Sequence, residues 1–108
     1  MEHKIFKFDI PVDDEWHLVP KLRDVEDIRY VASQHPDRPD QVQLWFEHRE
    51  VWPLRPIDDV IEVRAFGTGH EISCGDFQCE YVGSAIAAEG KLVWHVYARN
   101  ILTIRTVS

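Results

Sequence analysis

Apolar and polar residues alternate with a period of two along most of the chain. In Lys4 to Ile10, Phe6, Phe8 and Ile10 share one side while Lys7 and Asp9 share the other. Val42, Leu44 and Phe46 alternate with Gln43, Trp45 and Glu47, and Ile61, Val63 and Ala65 with Glu62 and Arg64. Phe77, Cys79 and Tyr81 alternate with Gln78 and Glu80, Leu92, Trp94, Val96 and Ala98 with Val93, His95 and Tyr97, and Leu102 and Ile104 with Thr103 and Arg105. Side chains along a strand point to opposite faces in turn, so short runs of this kind predict half-buried strands.

Pro11, Pro20, Pro36, Pro39, Pro53, Pro56, Gly67, Gly69, Gly75, Gly83 and Gly90 punctuate these runs. Their spacing leaves room for strands and for few helices of ordinary length. One segment is ambiguous. Leu22, Val25, Ile28 and Ala32 are spaced for a helix face, and Ile28, Tyr30 and Ala32 also alternate. The reading adopted is a turn through Arg23-Asp24 and a strand from about Asp27 to Ser33. The expectation is an all-β protein: one domain over residues 1–108, an antiparallel β-sandwich or partly open barrel of seven or eight short strands. The length of 108 residues and 44% hydrophobic content suit one packed core.

Twelve basic residues stand against nineteen acidic ones, a net of −7. A binder of nucleic-acid backbone needs clustered Lys and Arg, so no direct nucleic-acid contact is expected. Acid concentrates in residues 9–27, where seven Asp and Glu face only Lys21 and Arg23. A solvated face is the ordinary reading of such a run. Docking of a basic partner, or mimicry of DNA, is the sharper one.

The sequence holds no P-loop, dinucleotide fingerprint, HExxH, nucleophile elbow or EF-hand loop. No apolar run approaches the roughly 20 residues that span a bilayer, and the start does not read as a signal peptide. No membrane association is expected. Cys74 and Cys79, the only cysteines, are expected to be reduced thiols in a cytosolic protein, with pairing possible only if they sit opposite each other in a hairpin.

Two stretches are candidates for chemistry. Phe66-Gly67-Thr68-Gly69-His70-Glu71-Ile72 follows an apolar strand, and its N–H groups, the Thr68 hydroxyl and His70 would suit an anion nest. The plain alternative is a glycine turn that ends the strand. In Leu92-Val93-Trp94-His95-Val96-Tyr97, His95 is either a satisfied half-buried histidine, bonded to a carbonyl or a Thr hydroxyl, or a partner of His70 across adjacent strands. Two imidazoles brought together would hold a metal or shuttle a proton. His70, Cys74, Cys79 and His95 are zinc-ligand types, but their spacing matches no standard zinc motif, so no metal or other cofactor is expected. Asp58 and Asp59 are adjacent and would point apart on a strand. Trp45 and Trp52 are candidate anchors for a protein partner; alternatively Trp45 packs under the Pro53–Pro56 loop.

The segments Ile5-Phe6-Lys7-Phe8-Asp9-Ile10, Phe66 to Ile72, Tyr81-Val82-Gly83-Ser84 and Leu92 to Tyr97 occur in an order that resembles a small uncharacterised protein family. Its members come mostly from bacteriophages and their actinobacterial or proteobacterial hosts, and often carry Gly-Thr-Gly-His-Pro-Ile, Tyr-Ile-Gly-Thr and Val-Trp-His-Val-Phe segments. The resemblance runs from Phe6 to about Ala98. Glu71 replaces a usual Pro and Ser84 a usual Thr, and the cysteines, the His35–Asp40 loop and the tail after Ala98 are outside the pattern. The family supplies no catalytic residues; it implies a phage origin and an accessory role.

The leading expectation is therefore a non-enzymatic protein that binds a host protein in the cytoplasm of an infected bacterium. A minor virion component and a small-ligand or anion binder are the alternatives. The binding candidates are Gly67, Thr68, Gly69, His70, Trp94, His95, Trp45 and Trp52, and a homo-oligomer is compatible with each reading.

Overall fold

The computed structural model describes residues 3–22, 24–34, 37, 40–49, 61–87, 90 and 92–101. Trp52, the Pro53–Pro56 loop, Asp58, Asp59 and the segment containing Leu102 and Ile104 lie outside the described residues. Among the described residues seven strands are formed: β1 (His3–Pro11), β2 (His17–Leu18), β3 (Ile28–Ala32), β4 (Gln41–Arg49), β5 (Ile61–Gly67), β6 (Cys79–Ile86) and β7 (Val93–Asn100). They make two antiparallel sheets that do not close into a barrel, one of three strands in the order β1-β4-β3 and one of four in the order β2-β5-β7-β6.

The ambiguous segment resolves as turn then strand. Asp24 caps a single 3-10 turn, Val25–Asp27, by accepting from the Glu26 N–H at 3.0 Å. A short Asx cap of this kind satisfies the amides that a longer helix would leave open. Ile28 then enters β3, where β-branched and aromatic residues favour the pleat.

The core lies between the sheets. Ile10 from β1, Val42, Leu44 and Phe46 from β4, and Val31 from β3 meet Ile61, Val63 and Ala65 from β5, Val96 and Ala98 from β7, and Ala85 from β6. Each set occupies alternate positions of its strand, so the period-two pattern becomes the inner face of a sheet. The two sheets approach most closely where β6 passes β3. A Cβ on Gly83 would lie 3.4 Å from Val31 Cγ2, which leaves room for little more than a methyl there.

Two polar features depart from simple alternation. Gln43 sits on the outer side of β4 yet is 0% exposed. The chain after β3 folds over it: its Oε1 accepts from the Gln34 N–H at 2.8 Å, and Ser33 Oγ donates to the Gln41 carbonyl at 3.0 Å. The second departure corrects the expectation of reduced thiols. Cys74 and Cys79 are joined in a disulfide, with Cα atoms 5.7 Å apart. A turn between them brings the two Cα atoms within bridging range, and the Phe77 N–H donates to the Cys74 carbonyl at 3.4 Å.

Candidate functional site

β5 ends at Gly67, where the His70 N–H donates to the Gly67 carbonyl at 3.1 Å and closes a turn. Gly69 takes φ +87° in that turn, a conformation that L side chains resist. Gly67 serves a different need. A Cβ there would lie 3.3 Å from His70 Cε1 and 3.4 Å from Trp94 Cζ3. The bare backbone lets the imidazole and the indole close over the inner side of the strand end.

Adjacent residues of β7 point to opposite faces. Trp94 therefore shares the His70 side, while His95 faces outward. The alternative pairing of His70 with His95 is not formed, because the sheet lies between them. His95 is instead bonded to two hydroxyls. Its Nε2 is 2.9 Å from Thr68 Oγ1 and its Nδ1 is 2.9 Å from Ser84 Oγ. Ser84 Oγ is in turn 2.6 Å from the Tyr81 hydroxyl. A continuous polar row thus crosses from β6 through β7 to the end of β5. The sequence candidates split: Thr68 and His95 belong to the row, Gly67, His70 and Trp94 to the opposite side. The zinc-type set of His70, Cys74, Cys79 and His95 is not assembled, since the thiols are spent on each other. Among the described residues no three His, Cys, Asp or Glu side chains converge on a metal position.

Behind the row, the outer face of the four-stranded sheet is an aromatic and cationic lattice. Phe66 packs edge-on against Trp16 at 6.0 Å and Tyr97 at 5.7 Å, and Tyr97 against Tyr81 at 5.6 Å. Arg64 lies over Phe66 at 4.5 Å and Arg99 over Trp16 at 4.3 Å. Such contacts hold a planar guanidinium against a ring. Arg99 also donates from Nε and Nη2 to Glu62 Oε1, at 2.9 and 2.7 Å, and from Nη1 to the Cys74 carbonyl at 2.8 Å. It thereby ties the disulfide loop to β7. Part of the acidic run is answered within the molecule: Asp14 is 3.8 Å from Arg64, and Asp13 holds His17 at 2.7 Å beside Trp16.

The opposite outer face, on the three-stranded sheet, carries Trp45. Register places Lys7 and Tyr30 on either side of it. The Trp45 and Tyr30 rings are 5.6 Å apart. Tyr30 is 60% exposed and Ile5, on the neighbouring strand, 59%. Charges of both signs surround these apolar groups: Lys7 and Asp9 on β1, Glu47 on β4, and Arg29 on β3, whose Nη2 donates to Glu47 at 2.9 Å. His3 also contacts the Glu47 carboxylate. Hydrogen bonds first from His3 and then from Arg29 hold that carboxyl below its ordinary pKa.

Tyr30, Tyr81 and Ser84 were not among the sequence candidates. Tyr30 alternates openly with Ile28 and Ala32, but a bulge between Ile28 and Tyr30 turns it outward. Tyr81 reads as one of an apolar alternation with Phe77 and Cys79. A second bulge, between Tyr81 and Gly83, resets the phase so that Tyr81 and Ser84 share one face.

A family model described as a domain of unknown function, DUF7352, matches residues 1–104. No curated protein matches the chain, and no solved structure does.

Proposed function

We propose, from the premise that the chain belongs to the DUF7352 family of domains of unknown function, that it is a phage-encoded, non-enzymatic accessory domain. It binds a host protein in the bacterial cytoplasm through the outer face of the three-stranded sheet. The observation that carries this reading is the exposure of Tyr30 and Ile5 around half-buried Trp45. Aromatic anchors inside a polar rim are the anatomy of protein interfaces. The rim of Lys7, Asp9, Arg29 and Glu47 carries both signs, which suits a protein surface better than a polyanion. The phage origin is supported by the ordered motif set from Phe6 to Ala98. The non-enzymatic reading is supported by the separation of His70 from His95, which leaves no shared acid–base pair.

Affinity capture from host lysate tests the reading. The chain is expected to retain one discrete protein. Tyr30→Asp should weaken capture about tenfold or more, as loss of an interface anchor does, while Ile86→Asp on the other outer face should leave it intact. Equal capture by both variants, or capture of nothing, would overturn it.

The disulfide favours a second reading. Disulfides persist on virion surfaces and in oxidising compartments and are rare in the cytosol. A minor virion component would be found in purified particles with the Cys74–Cys79 bridge intact.

A further inference from the structure

We propose that the row Tyr81–Ser84–His95–Thr68, on the outer face of the four-stranded sheet, is a binding site for a neutral saccharide. This site lies on the opposite side of the molecule from the protein-docking face and stands or falls separately from it.

The inference starts from proton counting. Three hydroxyls and one imidazole carry at least four hydrogen-bonding protons, and the three contacts of 2.6, 2.9 and 2.9 Å use three of them. At least one donor proton is left over, together with unused lone pairs on the hydroxyl oxygens. Every link can also run in either direction, because a hydroxyl donates or accepts and neutral imidazole does one at each nitrogen. A ligand with neighbouring hydroxyls has the same two-way character, so it extends the chain whichever way the protons point.

The surroundings narrow the ligand further. Tyr81 is 56% exposed, and its ring packs against that of Tyr97 with centroids 5.6 Å apart and planes inclined by 65°. It presents an exposed aromatic ring next to the hydroxyls, and the ring's negative quadrupole suits the polarised C–H face of a pyranose ring. Ile86, two residues along the same strand face from Ser84 and 65% exposed, extends the apolar shelf. Arg99 is committed to Glu62 and the Cys74 carbonyl, and Arg64 lies over the Phe66 ring and 3.8 Å from Asp14. The net charge of −7 on the chain disfavours an anionic ligand.

The test is calorimetric titration of the intact chain with cellohexaose, maltohexaose, mannohexaose and chitohexaose, with polygalacturonate as the anionic counterpart. At least one neutral hexamer is expected to bind. Tyr81→Ala should weaken it about tenfold or more. Thr68→Val, which keeps the shape and removes a terminal hydroxyl, should weaken it about fivefold. Tyr30→Ala should change nothing. The proposal is overturned if no neutral hexamer binds, if polygalacturonate alone binds, or if Tyr81→Ala, with the circular dichroism of the parent, binds as well as the parent does.

Discussion

Glu47 links β1 and β3 across the outer face of the three-stranded sheet. It accepts from Arg29 on β3 and is held by His3 on β1. A carboxylate whose pKa is lower in the folded state adds stability above its unfolded value and loses it as the pH falls through the folded one. Stability is therefore expected to decline as the solution is acidified below about 4.5, the ordinary value for this group. Urea midpoints across the acid range would show it, and Glu47→Gln should flatten that part of the curve. An unchanged acid limb would mean that the pairing contributes nothing. His95 teaches a different lesson at this scale. Its sequence neighbours left two readings, a half-buried histidine bonded to a carbonyl or a Thr hydroxyl and a partner of His70, and the structure forms the first, with Thr68 and Ser84 as the partners. Its partner across the sheet could not be read, because the choice between Thr68 and His70 depends on which side the chain takes after Gly67.

Among the elements, β6 is where sequence and structure part most clearly. Alternation read directly from Phe77 to Tyr81 places the aromatic rings inside, yet β6 starts only at Cys79, and one extra residue at Val82 shifts the phase. A bulge adds a residue without leaving a mark on composition, so the period alone cannot reveal it. β1 with β4 and β5 with β7 pair without such an insertion, and the inner faces of β4, β5 and β7 agree with the pattern from Val42 to Ala98. The shifted phase makes a sharp expectation. Ala85→Asp puts a charge into the core and should cost more than about 3 kcal/mol, whereas Ile86→Asp, one residue on, should stay within about 0.5 kcal/mol. Denaturant unfolding of the pair distinguishes them, and similar losses would mean that the phase is wrong. The disulfide closes the segment leading into this strand. For a loop with a sequence separation of 5, chain entropy gives about 2 kcal/mol. Cys74→Ser with Cys79→Ser should lower stability by about that amount, and the native mass should be two hydrogens below that of the reduced chain.

At the scale of the whole molecule, a sandwich of three and four strands spends its inner faces on one core and leaves two outer faces for work. Those faces differ in chemistry. One sets Trp45 and Tyr30 among charges of both signs; the other sets the hydrogen-bonded row of Tyr81, Ser84, His95 and Thr68 next to an aromatic lattice backed by Arg64 and Arg99. Fold class was legible because the period-two pattern is physical and global. The candidate faces were less so, since both are assembled from strands far apart in sequence, such as Ile5 with Trp45 and Thr68 with Ser84. The most direct measurement is an amide NMR spectrum of the labelled chain with the captured host protein added. Perturbations confined to residues 5–9, 28–31 and 43–47 are the result expected. Perturbations centred on residues 81–86 and 93–97 instead, or spread without preference over both sheets, would contradict the assignment of partner binding to the three-stranded face.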